Sequence, residues 1–206
     1  MTVHSRRGVQ TRRSILTERL PASGNTALAA SALIQATLGV EFTFAGLDKF
    51  ADPNFTANFE TFVRASPGTD NGVLSPIIRL LVLPNVAIAA TLLKFTELGL
   101  GLVLLLGAAE VARRRFSGRL GAQHGYEAPV ALVAALAGFA AAGLALSIFL
   151  LEGGVLPAIV SGRAFTSAIP VELLIVPFGV AVGWIELGRF LVLRKPPNAS
   201  LIETEL

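Results

Sequence analysis

The chain has 206 residues, 53% of them hydrophobic and 15% charged, with 20 glycines and a mean hydropathy of +0.67. A soluble domain usually carries about a quarter charged residues, so lipid rather than water is the expected solvent. The net charge of +3 resides in basic residues that flank apolar segments, which argues against nucleic acid as a partner, and the absence of cysteine excludes disulfides, iron–sulfur clusters and thiolate metal sites within the chain.

Residues 1–25 form a basic tail with Arg6, Arg7, Arg12, Arg13 and Arg19. Thr11-Arg12-Arg13-Ser14-Ile15-Leu16 superficially resembles a twin-arginine export signal. The long span that follows, with no small-residue cleavage site after it, favours a tail that orients the first helix and lies on the anionic inner leaflet. Ser23-Gly24-Asn25-Thr26 reads as a polar turn capping that helix.

Four apolar segments follow, at 27–50, 84–107, 129–151 and 168–193. Each has about 20 or more residues, the length that crosses a ~30 Å hydrocarbon core at 1.5 Å per residue. The first carries Gln35, Glu41, Asp48 and Lys49 and breaks at Asp52-Pro53. Beyond it, Phe55, Phe59 and Phe62 recur at i, i+4 and i+7, the pattern of a short helix lying in the interface. Ser66 to Gly72 is a loop by composition, and 75–83, with Arg79, is an interfacial approach to the second span, which Pro84 opens or kinks. The third span is almost wholly Ala, Gly, Leu and Val, a scaffold with Gly138, Ala142 and Gly143 as its close-packing face. The fourth holds Glu172, Pro177, Gly179, Gly183, Trp184 and Glu186, with Trp184 a candidate interface anchor.

Basic residues cluster in alternate loops: Arg113, Arg114, Arg115 and Arg119 in the second, Arg189, Arg194 and Lys195 at the end, and only Arg163 in the third. The first loop mixes Arg64 and Arg79 with Asp52, Glu60 and Asp70. The positive-inside rule then places both termini in the cytoplasm. The expected fold is an all-α integral membrane protein, a four-transmembrane-helix bundle over 26–194, with cytoplasmic tails at 1–25 and 195–206 and no attached soluble catalytic domain. The expected location is the cytoplasmic membrane of a bacterium or archaeon.

Charges within the spans are the candidate functional groups, because a charge at mid-bilayer costs ~2.5–3.5 kcal/mol on insertion scales. Lys94 and Glu97, at i, i+3, share a helix face and are expected to pair, with Gly101 one turn on admitting a neighbouring helix or a ligand. Glu41 and Asp48 are seven residues apart and nearly eclipsed, and Lys49 is placed to snorkel outward. Two readings follow: a polar cavity between the first two helices holding a quinone headgroup or proton relay, or an ion-pair network that sets helix register. A carboxylate suits the first because it can accept a proton as a quinol is oxidised. Glu172 and Glu186 are expected at the interfaces, with Glu186 bonding Arg189 at i, i+3. Neither His4 nor His124 lies in a span, and Met1 is the only methionine, so a haem buried among the spans has no ligands here and no metal site is expected.

Leu38-Gly39-Val40-Glu41-Phe42-Thr43-Phe44-Ala45-Gly46-Leu47-Asp48-Lys49-Phe50 resembles the first-helix signature "G…F…AG..K" of the DoxX/DoxD-like membrane proteins. Val82-Leu83-Pro84-Asn85, with Thr96-Glu97-Leu98-Gly99 through Gly107, resembles that family's "LPN … GE…G..L.LG". The resemblance covers about 38–107, with Thr96 where a small residue often precedes the glutamate and Lys94 as an addition. It implies a four-helix subunit related to the large subunit of a thiosulfate:quinone oxidoreductase, with Glu41, Lys49 and Glu97 at polar positions. Gly46, Pro84, Asn85, Gly99 and Gly107 fall at structural ones. Without cysteine, persulfide chemistry within this chain is excluded.

The leading expectation is a membrane subunit of an electron-transfer complex, using quinone as its only candidate cofactor through Glu41, Asp48, Lys49, Lys94 and Glu97. The alternative is a non-catalytic accessory subunit packed against a larger respiratory or photosynthetic assembly. Both place the chain among lipids and partner subunits. Whether it is an enzyme in its own right is left open. A small transporter is disfavoured, since no inverted repeat or paired broken helices are visible.

Overall fold

The computed structural model describes residues 22–117, 126–156 and 169–194. Residues 1–21 of the basic tail with its arginine motif and His4, together with His124, Arg119, Arg163, the first residue of the expected fourth span and the tail from Lys195 onward, lie outside the described residues.

Among the described residues the fold is all-helical. Helix α1 runs Ala22–Ala51, and three short helices follow it: α2 (Phe55–Ala65), α3 (Pro67–Asn71) and α4 (Ser75–Ile77). The long helices α5 (Val86–Ser117), α6 (Glu127–Leu151) and α7 (Val171–Leu193) complete the chain. Four helical stretches are long and apolar enough to cross a bilayer: Thr26–Ala51, Ser75–Arg113, Glu127–Leu151 and Val171–Leu193.

Two boundaries differ from expectation. α1 already includes Ser23 to Thr26, so that polar turn is the first turn of the helix rather than its cap. The supposed loop at 66–72 contains α3, started by Pro67, whose fixed φ and missing N–H suit a first helical position. Gly68 seats α3 on the end of α6, since a Cβ there would lie 2.6 Å from the Leu151 carbonyl oxygen.

Pro84 neither opens nor breaks the second span. The chain passes from α4 through a π-helical turn at Ile78–Val82 and a 3-10 turn at Leu83–Asn85 into α5. Proline removes one N–H donor, and the helix absorbs the mismatch by widening and then tightening. Asn85 Nδ2 donates to the Leu81 carbonyl at 2.9 Å, which satisfies a backbone acceptor beside the proline. At 39 residues, Ser75–Arg113 spans about 58 Å, nearly twice the hydrocarbon thickness, so part of it must extend beyond the apolar layer.

The four long helices pack as two tight antiparallel pairs, α1 with α5 and α6 with α7, closed into a ring by lighter α5–α6 and α1–α7 contacts. Lipid tails are as apolar as leucine, so association depends on close packing, and small residues allow it. A Cβ on Gly46 would lie 2.7 Å from the Leu98 backbone nitrogen, and one on Gly101 would lie 2.5 Å from that of Thr43. Gly138 likewise meets Gly183 at 2.7 Å, and Gly179 meets Ala142 at 2.9 Å. Gly99 and Gly143 face open space instead, so neither closes a helix contact. The core joins Leu38 and Phe42 of α1, Leu100 and Leu104 of α5, Ala137 and Ala141 of α6, and Val182 of α7.

Candidate functional site

Two charged clusters lie inside the bundle, at opposite ends. The first is at the end that carries α2–α4. Lys49 Nζ approaches Glu97 Oε2 to 2.6 Å, with the Glu97 side chain only 4% exposed. The ammonium also donates to the Ala45 carbonyl at 3.3 Å. Lys49 therefore turns inward across the α1–α5 seam rather than snorkelling outward. Glycines at 46 and 101 bring the helices close enough for this pair to form.

Lys94 does not pair with Glu97, against the i, i+3 expectation. Its ammonium lies 5.3 Å from the centroid of the Phe50 ring and 5.7 Å from that of Phe55. Lys49 already holds the carboxylate, and two aromatic faces give the second cation an alternative. Phe50 is itself held edge-on by Phe95, with centroids 5.0 Å apart. Glu41 and Asp48 are both exposed on α1 and belong to neither cluster. Of the five candidates, the structure brings together Lys49 and Glu97, places Lys94 nearby and leaves Glu41 and Asp48 outside.

A cavity of about 700 Å³ adjoins the ion pair, within the ~300–1,000 Å³ range of small-molecule sites. It is not enclosed between α1 and α5, where the glycine contacts leave no room. It opens on the other side of α5, under α2 and against α6, and Lys49 is the only α1 residue in its wall. Phe55, Phe59 and Phe62 of α2 form one wall, and Leu144, Ile148 and Leu151 of α6 another. Lys49, Glu97, Asn58, Thr96 and Ser147 are its polar lining. Ile77 and Leu92 line it and are also 53% and 61% exposed, so the cavity communicates sideways with the bundle surface.

The phenylalanine stripe of α2 thus faces the bundle as a roof. Asp52 anchors the start of that roof, accepting from the Asn54 backbone N–H at 2.8 Å and from Asn58 Nδ2 at 2.9 Å. Ser66 Oγ donates to the Phe62 carbonyl at 2.8 Å, Thr69 Oγ1 to that of Val63, and Arg79 pairs with Asp70 at 2.8 Å. These bonds tie α2 through α4 into one cap.

The second cluster sits at the other end and was largely missed from sequence. Glu186, expected at the interface, is fully buried. Its Oε1 accepts from Ser31 Oγ at 3.2 Å and from Gln35 Nε2 at 2.9 Å, and its Oε2 from Arg189 at 3.1 Å. Arg189 also bonds Glu110 at 2.5 Å, with both side chains 7% exposed. Only the Glu186–Arg189 pair was readable from spacing. The available signal for the rest was Ser31 and Gln35 at i, i+4 on an otherwise apolar face, with Glu110 three residues beyond Gly107. A Cβ on Gly107 would strike the Gln35 side-chain oxygen, so this glycine makes room for the cluster.

The two clusters differ in surroundings. The Glu186 carboxylate is saturated by three donors and packed among three helices. The Lys49–Glu97 pair borders open space and can offer a donor and an acceptor to a bound molecule. Among the described residues, no three His, Asp or Glu side chains converge to hold a metal ion. No protein-family model, no curated protein and no solved structure matches this chain.

Proposed function

We propose that the chain is a membrane subunit that binds an isoprenoid quinone in the cavity beside Lys49 and Glu97. The observation that carries this reading is one ion pair at the wall of a large, otherwise mostly apolar cavity that opens sideways toward the lipid-facing surface. An isoprenoid quinone has the complementary shape: a flat head with two carbonyl oxygens on an apolar tail. The Lys49 ammonium would donate to a carbonyl oxygen of the quinone, and the Glu97 carboxylate would accept from a hydroxyl of the quinol. The phenylalanines of α2 would cover the ring and exclude water. The resemblance of 38–107 to the DoxX/DoxD-like proteins supports the same reading.

The chain contains no cysteine, and neither of its histidines lies in a membrane span. That composition supports a role as the quinone-handling subunit of an electron-transfer complex, with the other electron carrier on a partner. Basic residues at both ends support cytoplasmic termini in a bacterial or archaeal cytoplasmic membrane, with the cavity in the outer half.

The test is to purify the chain in mild detergent and measure quinone in the organic extract. Near-stoichiometric quinone is expected, with at least tenfold loss in the double variant Lys49→Met, Glu97→Leu. That variant removes both charges together, so neither is left buried alone and the fold is retained. No quinone in the wild-type extract, or equal amounts in both proteins, would overturn the reading.

A further inference from the structure

Glu41 is an acidic side chain exposed near the middle of the span Thr26–Ala51. Ala51 is about 15 Å away along the axis at 1.5 Å per residue, beyond the reach of a glutamate toward the interface. Among the described residues it has no hydrogen-bond or ion-pair partner. It stands on a continuous outward stripe of α1 with Leu33, Thr37, Phe44 and Asp48, of which Leu33 is 70% and Phe44 68% exposed. The Thr37 hydroxyl is already committed to the Leu33 carbonyl at 3.0 Å, so the stripe supplies no donor for Glu41. Acyl chains cannot satisfy an acidic group at that depth, and ionisable residues within membranes almost always face protein or water.

A second copy of this chain does not supply the missing charge. Gly46 packs on Leu98 and Gly101 on Thr43, so Glu41 lies level with about residue 103 of α5. Lys94 is about 13 Å from that level at 1.5 Å per residue. Lys49 is held by Glu97, and Arg189 is enclosed by Glu110 and Glu186. A lipid headgroup lies too far toward the interface.

We infer that the Thr37–Glu41–Phe44 face of α1 docks a transmembrane helix of a different protein, one that presents a lysine or arginine at mid-bilayer depth. Charge complementarity sets the partner's chemistry, and the apolar side chains around Glu41 exclude lipid and strengthen the pair. This surface is separate from the cavity, which opens under α2 and against α6.

The test uses the full chain in its native membrane, with a benzophenone photocrosslinking residue at Phe44 and a control probe at Leu102 on the α5 surface. The expected result is an adduct from position 44 to a membrane protein whose transmembrane helix carries a basic residue at matching depth. That adduct should fall at least tenfold in Glu41→Leu. It should return when Glu41→Lys is combined with an acidic substitution at the partner's basic residue. Because Glu41 is exposed, Glu41→Leu retains the fold, which an unchanged melting temperature checks. Adducts with lipid or a second copy alone, adducts that persist in Glu41→Leu, or failure of the charge swap would each overturn the inference.

Discussion

The two charged clusters of this bundle use the same side-chain chemistry with opposite surroundings. At one end, Arg189 is clasped by Glu110 and Glu186, and Ser31 and Gln35 complete the Glu186 carboxylate. At the other, Lys49 and Glu97 form a single pair beside a cavity of about 700 Å³. A buried charge whose partners are all protein groups sets helix register. A buried pair with space in front of it can also receive a ligand. The lesson is that free volume, more than charge, separates an internal brace from a site.

The largest effect should come from the brace. Arg189→Met leaves the Glu186 carboxylate buried without its cation and takes one partner from Glu110, and breaking such a buried pair costs about 3–5 kcal/mol. Thermal unfolding in detergent should show a large drop in melting temperature, and adding Glu110→Gln and Glu186→Gln should recover most of it. If Arg189→Met alone were harmless, the two ends would not differ as described.

Next in size is the seam that places Lys49. Gly101→Leu drives a side chain into the Thr43 backbone and should cost about 1–3 kcal/mol, the usual penalty for overpacking. It should also lower quinone content by separating Lys49 from Glu97. Gly99→Ala, facing open space, is the matched control and should leave both quantities unchanged.

A third comparison separates ligand binding from stability. Glu97→Gln should weaken quinone binding about tenfold, or ~1.4 kcal/mol, measured by titration in nanodiscs. The double variant Lys49→Met, Glu97→Leu should lose binding as fully, yet unfold within about 1 kcal/mol of the parent. A parallel loss of stability and binding in that double variant would make the pair a second brace.

The smallest effect concerns Glu152, just past the end of α6. Partial desolvation, and then the charge of Glu172, hold its carboxyl above the usual range. The folded protein therefore binds this proton more tightly than the unfolded chain does. Stability should fall as pH rises from the ordinary carboxylate range through the raised value. Because the side chain is exposed, screening keeps the change well below ~1 kcal/mol, and Glu152→Gln should flatten it.

What the sequence determined by itself has a short-range or compositional cause. The four membrane-length helices follow from runs of about 20 apolar residues, the short helix α2 from phenylalanines at helical spacing, and the Glu186–Arg189 pair from i, i+3 geometry. Gly101 announced room for a neighbouring helix or a ligand without deciding which. Tertiary structure alone decided which partners on other helices the buried charges took. Spacing favoured Lys94 for Glu97, but Lys49 arrives from another helix because two glycines bring α1 within reach. The same contacts closed the space expected between α1 and α5 and left the cavity beneath α2. They also left Glu41 on the outside, although one-dimensional spacing had grouped it with the interior charges. Helix rotation and axial register set these outcomes. Both arise from the summed fit of many side chains across the seams, which no local stretch of sequence contains.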